Sequence, residues 1–463
     1  MNQLTISAGL AAPMPHQPAR PVLSAADLPV AALGLLLAGA IATGHAVVSA
    51  PGAALSSLSV LVTGVVLVFS RRQLRADPRA RSFTRLALGL AIATILMALA
   101  ADILLLVAAW IVGGRLMAGL IGHVGDWREA RLAARRANLS FAAGDLALVA
   151  AALLLAVGAG SSNLAAITAA APTLDPTMMT AAAVLLVIAA MARCALPPFS
   201  AWLMRSLAAP TPVSALLHAG FVNAGGFLLI SLAPVLEAAP IARAMLFTVG
   251  VVAALFGSAI MLVRVDVKGS LAASTVAQMG FMLLTVGLGA YAAALWHMVA
   301  HGVFKAWLFL GSAGTIVPAA TSGNNAAKML AKPWPALVAL MTIIAALALM
   351  QADRNAAILP LGLAFAAMLA ALGVALKGAR RGPLGLLVFA APFLLIGFNI
   401  AALALVSAYQ ANAAIPLIPD YAQFGLLSLL LAGWVWQQGI ASGELTLPPA
   451  LFARLFHAGH PAP

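Results

Sequence analysis

The sequence has 463 residues, of which 63% are hydrophobic and only 8% carry a charged side chain. This composition excludes an ordinary soluble domain and is typical of a polytopic α-helical membrane protein. The formal net charge of +13 suits lysine- and arginine-rich cytoplasmic loops better than a surface that binds nucleic acid. The single cysteine, Cys194, excludes an internal disulfide framework and any metal cluster built from cysteines. No dinucleotide-binding glycine motif, P-loop or CxxC pair occurs, so we expect no cofactor and no metal ligand set in this chain.

Apolar stretches long enough to cross a bilayer recur along the chain and predict about 14 transmembrane helices. We expect residues 1–28 to form a flexible cytoplasmic tail and residues 29–440 to form the transmembrane domain. Residues 441–463 are predicted to form a short cytoplasmic or interfacial tail, in which Leu447–His457 is an amphipathic helix. The predicted spans are 29–49, 51–70, 84–101, 102–122, 138–158, 177–195, 213–236, 241–263, 270–289, 291–317, 335–351, 355–376, 383–408 and 421–440.

The positions of the 25 basic residues support this count and predict the orientation of the chain. With the N-terminus inside, only Arg243 and Arg354 fall on the external side. Arg115, Arg193 and Lys305 lie within spans or at their ends, and every other lysine and arginine falls on the cytoplasmic side. Because basic loops stay in the cytoplasm, we predict a multi-pass protein with both termini cytoplasmic.

One predicted span contains three ionisable side chains in register. His297 precedes the stretch AHGVFKAWLFLGSAGTIV at Ala300–Val317, which contains His301 and Lys305. A spacing of four residues places all three on one face of a helix. Ionisable groups inside a membrane face the bundle interior or water and mark a transport path by default. We therefore predict a proton relay; the alternative is a snorkelling lysine beside two histidines that neighbouring helices satisfy.

Two segments have the composition of broken helices. Met191–Leu203 contains two consecutive prolines, and Ala209–Leu229 reads APTPVSALLHAGFVNAGGFLL, with prolines at its start and glycines inside. Irregular backbone at membrane depth is tolerated where it is buried in protein or lines a wet cavity, as in transporters. His218 lies in the second segment and is a candidate for the proton path. Its alternative role is a hydrogen bond to a carbonyl group that the break releases.

Further polar residues in apolar surroundings complete the candidate site. Asp145 lies inside a span and needs a partner or a proton. Asp102 lies at the junction of two spans, where it either joins the path or is interfacial. Ser274, Thr275 and Gln278 are candidates for the polar lining of the path. The alternative for these three is contact between helices, which is common in membranes.

Three motifs resemble the core of the proton-conducting antiporter-like subunits. These are the large membrane subunits of respiratory complex I and of the multi-subunit sodium/proton antiporters. The resemblance covers about residues 85–320 and implies a 14-helix core with two inverted five-helix repeats and broken helices. It also implies that His218, His297, His301 and Lys305 line a proton path. The motifs are LAAPTPVSALLHAG (207–220), DVKGSLAASTVAQMGFMLL (266–284) and WHMVAHGVFKAWLFL (296–310).

The chain departs from this family at two positions of the first half-channel. Ile111 stands where the family has a glutamate after a tryptophan. Arg193, which we include among the candidate path residues, replaces an expected lysine. Arginine does not release its proton in proteins, so the glutamate–lysine pair of the family is missing. Asp102 or Asp145 is a candidate to replace the acid. A later lysine motif has no clear match, the nearest stretch being 350–359, and we expect no long lateral helix after the last span.

The stretch HAGFVNAGGFLL at 218–229 resembles DabB, the family of membrane subunits of two-component inorganic carbon transporters. This resemblance implies a bacterial inner-membrane complex with a large peripheral DabA-like partner, similar to a zinc β-carbonic anhydrase, on the cytoplasmic side. Flow of protons, or of another cation, would drive one-way hydration of carbon dioxide in the partner. Zinc and all catalysis would then belong to the partner, and this chain would be an ion-conducting subunit in contact with lipid.

Two other functions stay open. The chain is either a proton-translocating subunit of a respiratory or sodium/proton antiporter complex, or a membrane anchor that conducts no ion. The departures at Ile111 and Arg193 motivate the anchor. The three ionisable residues of the 297–305 segment count against it, because an anchor gains nothing from burying them.

Overall fold

The computed structural model describes residues 49–314, 341, 358–363, 365–366, 383–410, 417–441 and 443–460. The predicted tail 1–28 and nearly all of the predicted spans 29–49 and 335–351 lie outside these residues. Within the described part the secondary structure is helical, and nine segments are long and apolar enough to cross a membrane. The prediction of an all-α polytopic membrane protein is therefore confirmed, whereas the total of about 14 spans stays a prediction.

The helices follow the predicted spans closely, with two informative differences. The helix predicted at 138–158 begins ten residues earlier, at Arg128, because hydropathy detects only its apolar part and its first turns are rich in arginine. The span predicted at 213–236 consists of three short helices. In chain order the helices are α1 (Ala50–Gln73), α2 (Ala80–Ala98), α3 (Ile103–Ile121), α4 (Arg128–Ala159), α5 (Leu164–Ala170), α6 (Pro176–Arg193), α7 (Ala201–Arg205), α8 (Thr211–Ala219), α9 (Ala224–Ser231), α10 (Ala233–Glu237), α11 (Pro240–Met261), α12 (Val267–Gly287), α13 (Tyr291–Gly311), α14 (Pro383–Tyr409), α15 (Asp420–Ala441) and α16 (Pro449–Gly459).

Asp102 caps α3 at one end of the bundle. Its carboxylate accepts a hydrogen bond from the amide of Leu104 at 2.7 Å and another from the hydroxyl of Ser162. These hydrogen bonds, the one from Ser162 first, hold the pKa of Asp102 below its ordinary value. The amide of Ile103 also donates to the Ser162 carbonyl at 2.8 Å. The loop after α4 is thus tied to the start of α3.

The loops at the opposite end of the same helices are joined by ionic contacts. The Asp77 carboxylate accepts from the backbone amide of Arg79 at 2.7 Å and contacts His123 Nε2 at 2.8 Å. Burial alone would raise the pKa of Asp77, but these hydrogen bonds outweigh it, so the pKa lies below its ordinary value. Arg79 also pairs with Asp126. The α1–α2 and α3–α4 loops therefore share one face of the bundle.

The predicted break after α6 is present and is packed tightly. The helix ends at Arg193, and Ala195 adopts a left-handed conformation with φ of 56°. A Cβ atom on Gly225 would lie 2.9 Å from the Ala190 carbonyl oxygen and 2.5 Å from Cys194 Sγ. Only glycine allows α9 to approach α6 this closely. The polypeptide between α8 and α9, Phe221–Asn223, forms a buried 3₁₀ turn.

Helices α11 and α12 pack closely through four glycines, two on each helix. The two glycines of each helix are seven residues apart. A Cβ atom on Gly250 would lie 2.5 Å from the Leu284 amide nitrogen, and one on Gly257 would lie 2.4 Å from that of Ala277. Gly280 and Gly287 meet the α11 backbone in the same way. Small residues that let backbones touch are a common basis for helix association in membranes. This packing fixes the register of α12, which contains Ser274 and Thr275.

The predicted amphipathic helix near the C-terminus is present as α16. The carbonyl of Gly459 accepts a hydrogen bond from Arg264 Nη1 at 2.9 Å, which fastens the end of α16 to the loop between α11 and α12. Leu451, Phe452 and Phe456 on α16 are exposed. Its position in the membrane interface stays a prediction.

Candidate functional site

Lys305 lies in the interior of the bundle, with a relative exposure of 2%. Its Nζ donates to the Leu271 carbonyl at 3.1 Å and to the hydroxyl of Ser274, both on α12. The Ser274 hydroxyl donates in turn to the same Leu271 carbonyl at 2.8 Å. Among the described residues no carboxylate forms an ion pair with Lys305. Within the described part of the chain the ammonium is therefore held by neutral acceptors, without the strong pairing that a carboxylate would impose.

His218, on α8, is fully buried and joins the same network. Its Nδ1 lies 3.0 Å from Thr275 Oγ1, whose hydroxyl donates to the Leu271 carbonyl at 3.0 Å. When the threonine proton is used in that bond, Nδ1 of His218 is the donor and carries the ring proton. His218 Nε2 then has a free lone pair, and it has no hydrogen-bond partner among the described residues. The ring stacks on Phe309 at 4.2 Å between centroids.

The two other histidines extend the cluster along α13. His301 Nε2 donates to the His218 carbonyl at 3.2 Å, and the rings of His301 and His297 lie 5.8 Å apart between centroids. The ring of Phe281 packs edge-on against His297 at 5.2 Å. The structure thus brings together four predicted residues, namely His218, His297, His301 and Lys305. We call these four, with Ser274 and Thr275, the lysine cluster.

Gln278 occupies a different position from the other two predicted lining residues. Ser274 and Thr275 are members of the lysine cluster, whereas Gln278 is exposed. Its backbone forms a hydrogen bond with His297. Its role in lining the path stays a prediction.

A second polar cluster lies between α3, α4 and α6, and we call it the arginine cluster. Asp145, 6% exposed, pairs through Oδ2 with Arg115 Nη2, and its Oδ1 lies 3.6 Å from Arg193 Nη2. Arg115 also donates to Asn138 Oδ1 at 2.8 Å. Asp145 and Arg193 were predicted from the sequence. The partner Arg115 was missed, although a charged residue in each of two successive apolar spans already suggests that the two pair.

Arg193 is surrounded by aromatic rings. Its guanidinium carbon lies 3.9 Å from the ring centroid of Trp110 and 4.4 Å from that of Phe221, and Nη2 donates to the Trp110 carbonyl at 3.0 Å. The guanidinium also packs beside Gly113 and Gly114 of α3. Cation–π contacts with buried rings stabilise a charge that water does not reach. Ile111, next to Trp110, supplies no charge, so Asp145 is the acid of this region.

The broken helix, which consists of α8, the turn Phe221–Asn223 and α9, connects the two clusters. It contains His218 of the lysine cluster, and its Phe221 packs against Arg193. A small cavity beside Arg193 is lined by Thr94, Trp110, Gly220 and Phe221, among others. Gly220 follows His218 by two residues, so this cavity adjoins the end of α8 that holds the lysine cluster. Asp102, in contrast, caps α3 at the end of the bundle, and the structure brings it into neither cluster. No group of three His, Cys, Asp or Glu side chains suited to a metal ion occurs in the described part.

Comparison with known proteins identifies the relatives of this chain. Residues 100–381 match the family described as NADH:quinone oxidoreductase/Mrp antiporter, TM. The probable inorganic carbon transporter subunit DabB1 of Halothiobacillus neapolitanus is 39% identical over 272 residues, covering 56% of this chain and 48% of that protein. NADH-quinone oxidoreductase subunit L of Mycobacterium tuberculosis is 36% identical over 264 residues, covering 56% of this chain and 42% of that protein.

A solved structure of the Mrp complex from Dietzia sp. DQ12-45-1b aligns with 89% of this chain and 51% of the matched chain, with a TM-score of 0.59 and 24% identity. This similarity confirms the predicted antiporter-like fold. The similarity to DabB1 confirms the predicted resemblance to inorganic carbon transporter subunits. The chain spans about half the length of these curated relatives.

Proposed function

Because the chain belongs to the NADH:quinone oxidoreductase/Mrp antiporter transmembrane family, we propose that it conducts protons as the membrane subunit of an inorganic carbon accumulating complex. In this proposal, proton flow through the chain drives a peripheral carbonic-anhydrase-like partner on the cytoplasmic side of a bacterial inner membrane. The partner holds zinc and hydrates carbon dioxide. This chain supplies the path for the coupling ion.

The observation that supports proton conduction best is the environment of Lys305. A lysine buried in a membrane without a carboxylate partner is costly and marks a function by default. Nζ can release a proton toward the Ser274 hydroxyl that it already contacts. His218 Nε2, with its free lone pair, can accept a proton in the same cluster. The residues can therefore hold a proton at two defined atoms within one buried network.

Each protein group of the cluster has a definite task in this mechanism. Thr275 fixes the tautomer of His218 by accepting from Nδ1, and the Leu271 carbonyl holds both Thr275 and Lys305 in place. His301 is oriented by its bond to the His218 carbonyl, and it leads along α13 toward His297. The aromatic rings of Phe309 and Phe281 cover His218 and His297. Such packing limits water to the polar route.

The assignment to carbon transport rests on the names of relatives such as DabB1 of Halothiobacillus neapolitanus and on the motif at 218–229. The chain differs from the redox-coupled members at Ile111 and Arg193, which favours this branch. A basic cytoplasmic face that includes Arg72, Arg81 and Arg128 is the surface on which we place the partner.

A mild-detergent pull-down from native membranes tests this function. We expect one large soluble partner that contains zinc to copurify with the chain. The Lys305→Ala variant should retain that partner and lose uptake of inorganic carbon, because only the proton path is damaged. Wild-type uptake by the variant, or a partner without zinc, would contradict the proposal.

A second candidate function is a proton-translocating subunit of a respiratory or sodium/proton antiporter complex. The 36% identity to subunit L of the Mycobacterium tuberculosis NADH-quinone oxidoreductase favours it. It predicts that the same pull-down recovers several small membrane proteins or redox subunits. The composition of the purified complex thus separates the two functions.

A further inference from the structure

The arginine cluster contains one acid and two bases on three different helices. Arg115 is on α3, Asp145 on α4 and Arg193 at the end of α6. The cluster therefore has two positive charges and one negative charge at membrane depth. An excess charge of this kind is costly and therefore marks a candidate functional site. The proposed proton path assigns no role to Arg115.

The carboxylate of Asp145 is shared unequally between the two guanidinium groups. Its Oδ2 bonds to Arg115, while Oδ1 is buried and makes no hydrogen bond in the described part of the chain. Arg193 Nη2 lies 3.6 Å from that free oxygen. A charge-assisted hydrogen bond spans about 2.7–2.9 Å, so a displacement of less than about 1 Å would complete a bond to Arg193.

Arg193 has a second acceptor that makes the exchange feasible. In this structure its Nη2 donates to the Trp110 carbonyl at 3.0 Å. Arg115 likewise has a second acceptor in Asn138, at 2.8 Å from Nη1. Each guanidinium can therefore lose the carboxylate and still keep a hydrogen bond. The two bases also differ in exposure, since the Arg115 side chain is 41% exposed and that of Arg193 is 3% exposed.

We propose that Arg115 is a positioning residue that holds the Asp145 carboxylate in one of two positions, bonded to Arg115 or bonded to Arg193. Exchange between these positions moves a negative charge from the outer arginine to the buried one. This inference rests on the proposed proton conduction, of which the exchange is one step. The exchange gives a role to Asp145 on α4 in a chain that has Ile111, and not an acid, at the family's glutamate position on α3.

The arginine cluster is placed where such an exchange can reach the lysine cluster. The Arg193 guanidinium packs on Phe221, which is three residues beyond His218 in the broken helix. A carboxylate closer to Arg193 makes the potential beside this break less positive, while the net charge of the arginine cluster stays the same. A proton on the histidines is then repelled less, since like charges disfavour each other at short range. The exchange thereby favours protonation of the lysine cluster.

Proton flux into liposomes that contain the full purified chain tests the role of Arg115. The Arg115→Gln variant should lower flux by about fivefold or more, a typical size for coupling between sites, because Asp145 stays bonded to Arg193. Arg115→Lys should restore most of the flux, and Asp145→Asn should abolish it. The matched control is Arg85→Gln, since Arg85 is exposed and bonds only to its own helix at the Arg81 carbonyl.

The double variant Arg115→Gln with Asp145→Asn separates positioning from simple charge balance. We expect it to be as inactive as Asp145→Asn, because no carboxylate remains to move. Recovery of wild-type flux by the double variant would overturn the inference. If Arg115→Gln does not fold, Asn138→Ala keeps all three charges and loosens Arg115. That variant should lower flux by about twofold, as expected for one weakened hydrogen bond, and unchanged flux would overturn the inference.

The outcomes also distinguish this inference from the proposed function. Loss of flux in Lys305→Ala, together with wild-type flux in Arg115→Gln, refutes the role of Arg115 and leaves proton conduction standing. Absence of flux through the wild-type chain refutes both.

Discussion

The Lys305 ammonium donates to a carbonyl and a hydroxyl on α12, at Leu271 and Ser274. A buried ion pair would hold a lysine proton firmly, and removing one partner would leave an uncompensated charge. Neutral acceptors hold the proton less firmly, as the proposed proton conduction requires. The Ser274 hydroxyl is the side-chain acceptor in this arrangement.

The Ser274→Ala variant should therefore conduct protons more slowly than the wild type. One hydrogen bond to a charged group contributes about 1.5 kcal/mol, so we expect flux to fall by roughly tenfold. The Leu271 carbonyl remains, and the loss should be smaller than in Lys305→Ala. Thr248→Ala is the matched control, because the Thr248 hydroxyl bonds only to its own helix at Ala244, at 2.9 Å. Liposome flux equal to wild type in Ser274→Ala would contradict this role.

Sequence spacing was sufficient to place His297, His301 and Lys305 on one helix, since the period of a helix fixes which residues share a face. It was not sufficient to pair Lys305 with Ser274. That contact depends on the register of α13 against α12, which only the packed structure defines. The same limit applies to Arg115 and Asp145, which are on different helices.

At the scale of helices, the α11–α12 pair determines where Ser274 and Thr275 lie. Its four glycines allow backbone contact along two turns of each helix. Without a hydrophobic driving force between helices in lipid, such close packing supplies much of the association energy. A methyl group at this interface must separate the two helices.

Gly280→Ala should lower the thermal stability of the protein in mild detergent. A Cβ atom there would lie 2.5 Å from the Ala254 amide nitrogen, and backbone cannot move aside as a flexible side chain can. Overpacking of this kind typically costs about 1–3 kcal/mol. Gly64→Ala on α1 is the matched control, because nothing lies within 4 Å of its added Cβ. An unchanged unfolding temperature for Gly280→Ala would show that this packing is not tight.

Hydropathy predicted most of the described helices to within a few residues, because bilayer thickness fixes their length. It placed the start of α4 too late, since Arg128 and the following turns are helical but polar. Prolines and glycines indicated the break between α8 and α9. They did not indicate where each short helix ends, because that depends on contacts such as Gly225 against α6.

On the scale of the whole molecule, the two polar clusters lie on either side of one broken helix. Both fall inside residues 100–381, the segment that matches the family. The loops at each end of the bundle are joined by separate contacts, at Asp102 with Ser162 and at Asp77 with His123. The bundle thus has two defined ends. Which end faces the cytoplasm stays a prediction from the basic loops.

The most direct test of this account is proton flux through the full chain in liposomes, with Lys305→Ala beside the wild type. Phe304→Ala is the control, because Phe304 is on the same helix but is 55% exposed. We predict flux for the wild type and for Phe304→Ala, and a loss of about a hundredfold for Lys305→Ala, the size expected when a proton-transfer group is removed. Wild-type flux in Lys305→Ala would contradict the central claim that this buried lysine conducts protons.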